Sequence, residues 1–206
     1  RATSDGRRLG GASVSDPGPV LIHKVRVSGL QPDTLYWYRV RCGALAREGT
    51  FHTAPAGERP VRFALLGDTR LWDSEWQTNG FPQHLLAQRP EFIVHTGDIV
   101  DNGESRRLWP GHFLRFALEG RSIPLFPARG NHEGGGFNNP PRNWFARYFD
   151  LPGEEPFYSF DWGNAHFAVV SYYAMARCTD WLDKDLAATT KPVSYTHLRA
   201  HETVLD

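Results

Sequence analysis

The chain has 206 residues, with 23 Lys plus Arg against 23 Asp plus Glu, so its formal charge is zero. That balance argues against a nucleic-acid or anionic-membrane partner, because both are bound through a basic excess. Hydrophobic residues at 40% and charged residues at 22% are the proportions of a globular protein, and no apolar run approaches the ~20 residues that cross a bilayer. The length accommodates one medium domain and part of a second.

In chain order, residues 1–20 are rich in Gly, Ser, Asp and Arg without any period and read as loop. His23–Val27 alternates as a half-buried strand does, and Ser28-Gly29-Leu30-Gln31-Pro32-Asp33 supplies turn chemistry. Tyr36–Val40 alternates again, and Gly49–Thr53 is a third short strand. Short strands separated by polar turns predict a β-sandwich or part of one. Residues 55–60 form a Pro/Gly/Glu linker.

From Val61 the grammar changes. Val61–Leu66, Phe92–Thr96 and Ile123–Pro127 are apolar runs, ended by Gly67-Asp68, by Gly97-Asp98 and by Arg129-Gly130-Asn131-His132. Helical spacing over Phe81–Ala87 and Ser105–Leu118 separates them, which predicts a layered α/β sheet. Arg142–Phe149 is a further short helical segment. Phe157–Trp162 and Ala165–Ser171 read as a hairpin around Gly163-Asn164, and Asp180–Ala188 as a helix with Thr179 as N-cap.

The chemistry recurs just past the C-terminal ends of the buried strands, where open α/β sheets bind ligands. Asp68, Asp98 and Asn131 are oxygen donors in such places. Oxygen donors suit hard and borderline divalent metals, with imidazole added for Zn, Fe or Mn. A carboxylate such as Asp98 can bridge two ions. Two ions about 3.5–4 Å apart hold a phosphoryl group and generate hydroxide near neutral pH. A single Gly-Asp after a strand is commonly only a turn, and Asn131 alone reads as a left-handed turn residue; it is the ordered set that points to metal.

Two families are resembled on these residues. The stretch from Val25 to Pro55, with its Gly29-Leu30-x-Pro32-x-Thr34-x-Tyr36 pattern, resembles the later strands of a fibronectin type III module. Residues 1–56 are therefore expected to be a partial fibronectin III-like β module whose true N-terminus lies upstream. The set Gly67-Asp68, Gly97-Asp98-Ile99-Val100-Asp101 and Gly130-Asn131-His132-Glu133 resembles the calcineurin-like metallophosphoesterases over about residues 61–190, within an expected domain of residues 61–192 cut short at its C-terminus, and with the upstream module the order is similar to that of purple acid phosphatases. The resemblance implies an α/β layered β-sandwich fold. It implies a cofactor of two divalent or trivalent metal ions (Fe, Zn or Mn) and hydrolysis of phosphate esters by a metal-bound hydroxide, with monoesters favoured over diesters. It makes Asp68 a ligand of the first metal, Asp98 the bridge and Asn131 a ligand of the second. His132 becomes the phosphate-binding histidine and proton donor, with Asp101 as its hydrogen-bonded partner. It also implies a small-molecule phosphate ester as the partner and a secreted or periplasmic location.

The chain departs from the family in two places. Asp68-Thr69-Arg70 stands where the wider family has Asp-x-His, and Asp101 where purple acid phosphatases have a Tyr, which puts Fe(III) chemistry in question. Arg70 cannot bind a metal; it reads as a phosphate contact or as one half of a salt bridge. His95, His112 and His166 read as structural, and Glu133 with Gly134–Gly136 as loop around the site, with Phe137, Asn138 and Asn139 as lining. Cys42 and Cys178 form no CxxC motif and are expected to be free, buried thiols, with one disulfide as the alternative. The later histidine motifs of the family are not found. Residues 193–206 do not continue the pattern, resemble a read-through peptide, and are expected to be a non-native tail; the alternative is that His197 or His201 is the missing ligand. A chain ending so is expected to show little activity. The alternative function is an interaction domain built on a catalytically inactive metallophosphoesterase scaffold.

Overall fold

The computed structural model describes residues 13–16, 18–70, 81–115, 121–134, 142–153, 156–171, 174 and 177–191. The chain begins with an antiparallel pair, β1 (Leu35–Cys42) and β2 (Leu45–His52), joined by the two-residue turn Gly43-Ala44. Alternation puts Tyr36, Tyr38 and Phe51 on one face, where Tyr36 stacks on Phe51 at 5.6 Å. The Tyr38 hydroxyl donates to the Arg121 carbonyl at 2.9 Å and so ties this hairpin to the rest of the molecule. β2 is longer than the expected Gly49–Thr53 strand because pairing runs back through every residue to the turn.

The core element is a parallel sheet of β3 (Phe63–Leu66), β4 (Phe92–His95) and β5 (Leu125–Pro127), in the order β3-β4-β5. Leu66, His95 and Pro127 share one register row, so the three strands end level. Strand alternation then sorts the side chains to two faces. On one face, Ala64, Leu66, Ile93 and Leu125 pack with Leu85 and Phe81 of helix α1 (Phe81–Ala87). On the other, Phe63, Phe92 and Phe126 meet the hairpin β6 (Phe157–Trp162) and β7 (Ala165–Val170). Phe92 is fully buried there, with Phe160, Trp162 and Phe167 rings 4.5–5.7 Å from its own. The sheet is thus covered by a helix on one face and by a second, aromatic β-layer on the other, as the α/β layered reading requires.

Helices α2 (Trp109–Arg115) and α3 (Trp144–Tyr148) enclose a second cluster, in which Trp109 and Phe145 bury Ile99 and Val100. The Asn143 side chain caps α3 by accepting from the Ala146 amide. Helix α4 (Thr179–Ala188) differs from expectation at its start. Cys178 already has helical dihedrals and accepts the first intrahelical bond from Leu182 N, so Cys178 is the N-cap and Thr179 the first helical residue.

The His23–Val27 strand is not formed: Val25 and Val27 are exposed, and the alternation serves charge contacts instead. Lys24 Nζ donates to the Ala146 and Phe149 carbonyls at 2.7 Å each, neutralising the C-terminal end of α3, and Arg26 pairs with Asp150 at 3.0 Å. Cys42 and Cys178 are not joined in a disulfide, and neither is buried as expected: Cys42 is exposed and Cys178 half-buried. No helix among the described residues is long and apolar enough to cross a membrane. The expected lining residues Phe137, Asn138 and Asn139, the glycines at 135 and 136, the end of the Ser105–Leu118 segment and the 193–206 tail lie outside the described residues.

Candidate metal centre

Because β3, β4 and β5 end level, the segments that follow them meet at one edge. Asp68 N donates to Gly97 O at 3.1 Å, and Thr96 N to Leu66 O at 2.8 Å, which continues the β3–β4 ladder one step past the strands. Asp68 and Asp98 then both turn through the left-handed region, with φ of 54° and 55°. A non-glycine residue there carries a cost of about 1–2 kcal/mol, held only where surrounding contacts over-determine it. The β4 and β5 loops touch directly. A Cβ on Gly97 would lie 2.4 Å from Gly130 N, and one on Gly130 would lie 2.2 Å from Asp98 Oδ1, so the contact admits only glycine at both positions.

Asp98 is fully buried and uses both carboxylate oxygens. Oδ1 accepts from the His132 amide at 3.0 Å, and Oδ2 accepts from Arg70 Nη2 at 2.8 Å. The same Nη2 is 3.3 Å from Asp68 Oδ1. The two aspartates expected as metal ligands therefore face one cationic nitrogen. Arg70 forms the ion pair of one of its two sequence readings, and does so with both carboxylates. Asn131 lies between Gly130 and His132 in the same loop, and its carbonyl accepts from Gly134 N at 3.2 Å.

His132 Nδ1 lies 2.6 Å from the Asp101 main-chain carbonyl. A carbonyl only accepts, so Nδ1 carries the hydrogen and Nε2 becomes the ring atom that exchanges a proton. The Asp101 carboxylate stands farther off, at 3.8 Å from Nδ1. The expected Asp101–His132 hydrogen bond thus runs through the backbone of Asp101 rather than its side chain. The reason is local: Gly103 N donates to His132 O at 2.8 Å and draws the 101–103 backbone alongside the histidine.

Two further residues shape the site. His95 is fully buried, and burial lowers its pKa to about 4, so the ring is neutral. Its Nδ1 accepts from Gly97 N at 3.2 Å, which leaves Nε2–H to donate to Thr69 Oγ1 at 2.9 Å. The histidine read as structural is a strut that fixes Thr69 between Asp68 and Arg70. Glu133 is 1% exposed, and its carboxylate accepts from Asp98 N, Gly130 N and Val100 N at 2.8–3.0 Å. Burial raises its pKa to about 6 against the pull of those amides. Sequence reading placed Glu133 only as loop. Its partners are main-chain amides of its own loop and of the distant loop after β4, and such partners leave no signature in side-chain pattern. His112 is buried beside Phe113, and His166 lies between Asp161 and Asp185 at 2.7 and 2.8 Å.

Among the described residues no cluster of three or more His, Cys, Asp or Glu side chains is grouped as a metal site. The oxygen donors nonetheless fit a cation: Asp68 and Asp98 already share one, the guanidinium nitrogen, and carboxylate oxygens are the donors that hard divalent ions prefer.

A level parallel sheet with carboxylates and a histidine at its C-terminal edge, layered between helix and β-hairpin, defines an α/β ligand-binding fold of the open-sheet class. Residues 61–190 match the calcineurin-like phosphoesterase family, and the chain belongs to it. The chain is similar to purple acid phosphatase 15 of Arabidopsis thaliana, 29% identical over 84% of this chain and 40% of the relative, and to purple acid phosphatase 22 of the same plant, 30% identical over 81% and 40%. It is also 29% identical to an uncharacterized protein of Mycobacterium tuberculosis, over 70% of this chain and 32% of that one. The chain thus spans about two fifths of the plant relatives' length. Among solved structures, a purple acid phosphatase from yellow lupin seeds superposes with a TM-score of 0.61 at 18% identity, covering 79% of this chain and 35% of that one. PhoD superposes with a TM-score of 0.52 at 16% identity, over 70% and 38%. Both share the fold.

Proposed function

We propose that the protein of which this chain is part hydrolyses phosphate esters at the edge where β3, β4 and β5 end. The observation that carries this reading is the convergence of Asp68 and Asp98 on one cationic position, with the His132 backbone bonded to the same Asp98 carboxylate. Asp68, Asp98 and Asn131 would hold two metal ions, which when bound supply Lewis acidity toward a phosphoryl oxygen and an activated water near neutral pH. Family membership and the purple acid phosphatase relatives support that assignment.

The chain's own residues do the rest. Asp98, buried and fixed through both oxygens, keeps its charge aimed at the cation site. His132, locked with Nδ1 as donor to Asp101, presents Nε2 as the atom that passes a proton to the departing alcohol oxygen; the nearby Asp101 carboxylate stabilises the protonated ring. Arg70, on the rim of the same pair of carboxylates, offers a planar guanidinium to the non-bridging oxygens of the ester. A small-molecule monoester is the substrate class proposed.

His132→Ala in the full-length chain tests the reading. Turnover of an aryl phosphate is expected to fall by roughly 10²–10⁴, the usual contribution of a general acid, with KM changed far less. Unchanged turnover removes His132 from the reaction.

A further inference from the structure

We infer that Glu133 is a positioning residue of this centre: its carboxylate locks the β4 and β5 loops into the single arrangement in which Asp98 and Asn131 can share a cation. The inference rests on the phosphoesterase reading above and deepens it.

The case begins with cost. Glu133 is 1% exposed, and a buried carboxylate is tolerated only where its oxygens are satisfied. Its satisfaction comes from main-chain amides. Oε2 accepts from Asp98 N at 2.8 Å and from Gly130 N at 3.0 Å, and Oε1 accepts from Val100 N at 3.0 Å. Those amides belong to both loops. One is the amide of Asp98 itself, and another immediately precedes Asn131.

The grip acts where the backbone most needs it. Asp98 stands in the left-handed region at φ 55°, which aspartate visits more readily than most residues but keeps only where neighbouring contacts favour it. Asp98 in turn accepts from the His132 amide, so one chain of bonds runs from Glu133 through Asp98 to the histidine. Glu133 cannot shift to follow a moving loop. Gly103 is packed on its backbone so closely that an added Cβ would lie 2.5 Å from Glu133 Cα. A residue whose only task was to fill space would be apolar here; a carboxylate with three amide donors on it is a clamp.

Glu133→Gln keeps the shape and reverses one contact. The amide oxygen can still accept two N–H groups, but the NH₂ faces the remaining donor, so a bond is replaced by a repulsion. In the full-length chain, Zn²⁺ or Mn²⁺ affinity measured by calorimetry is expected to weaken about 10–100-fold, as loss of an outer partner of a metal ligand usually does. The value of kcat for an aryl phosphate should fall over a similar range with KM within about twofold, because the ester's own contacts are untouched. Amide hydrogen exchange at Asp98, Val100 and Gly130 should quicken, while amides of β6 and β7 keep wild-type rates. Glu133→Asp, which keeps the charge on a shorter stem, should fall between wild type and Glu133→Gln in all three measurements, and it carries the test if Glu133→Gln does not fold. A variant with a lower Tm but wild-type metal affinity and kcat overturns the inference and leaves Glu133 merely structural. If the wild-type chain itself binds neither metal, the phosphoesterase reading falls, and the exchange rates at Asp98, Val100 and Gly130 still decide whether Glu133 holds the loops.

Discussion

At the scale of single residues, the centre is built from charges that are answered by neighbours. Asp98 is buried and ion-paired to Arg70, which also reaches Asp68. If Arg70 contacts the ester, Arg70→Gln should raise KM for an aryl phosphate about 10-fold or more, the order expected for losing a hydrogen bond to a charged group. Arg70→Lys should recover only part of that, since an ammonium cannot reproduce the planar, two-pronged contact. Steady-state kinetics on the full-length chain separates these outcomes; a KM unchanged in both variants would confine Arg70 to its ion pairs. His95 shows a different economy. Its neutral ring passes one hydrogen bond in and one out, and a histidine that burial keeps uncharged near pH 7 is well suited to that task.

At the scale of elements, one clasp stands out for its pH dependence. Glu91, just before β4, takes both guanidinium nitrogens of Arg59 at 2.8 Å and the indole N–H of Trp162 on β6 at 3.0 Å. The Arg59 hydrogen bonds are the main reason its pKa is lowered from 4.5 to about 2. A depressed carboxylate contributes stability above its unfolded pKa and loses it on acidification. The clasp should therefore hold above about pH 4.5 and be lost progressively toward about pH 2. Denaturant unfolding measured across that window should show a weaker acid dependence in Glu91→Gln than in wild type. His166 has the opposite sign. Burial lowers its pKa, but the carboxylates of Asp185 and Asp161 outweigh burial and hold it above the ordinary value. Its link between the β6–β7 hairpin and α4 should be strongest in mild acid and weaken as pH rises past the histidine's titration, a trend that His166→Asn should remove.

At the scale of the whole molecule, the two β-layers are joined by rings. Phe92 is the hub, fully buried against Phe63, Phe126, Phe160, Trp162 and Phe167. Phe92→Ala should cost about 3–5 kcal/mol of folding stability, read as a shift in urea midpoint, because it removes a large buried side chain and leaves a cavity between layers that cannot close. The N-terminal hairpin is joined to the rest by polar contacts instead, through Tyr38 to Arg121, with Lys24 and Arg26 nearby in sequence reaching α3 and Asp150. The Lys24 and Arg26 contacts are exposed and contribute little each. The Lys24→Ala exchange should shift stability by less than about 1 kcal/mol in the same assay.

What the sequence by itself determined is the alternation of apolar runs with helical spacing and the placing of Asp68, Asp98 and Asn131 after strand ends. Both follow from local rules: strand and helix periods, and turns that begin where an apolar run stops. It also carried the Gly-Asn-His-Glu step that leads to the family. It misjudged His23–Val27, where an alternating pattern proved to serve a lysine contact with the C-terminal end of α3 and an arginine contact with Asp150, because alternation records which residues differ from their neighbours and not what they touch. It placed the Asp101–His132 bond on the side chain, where the fold uses the main chain. Only the tertiary structure decided that Arg70 bridges Asp68 and Asp98, that His95 holds Thr69, and that Glu133 clamps two loops. Apart from the Arg70–Asp68 pair, each of these contacts spans residues far apart in the chain or ends on a backbone amide. Such partners become neighbours only when three parallel strands end level, and no spacing along the chain encodes that.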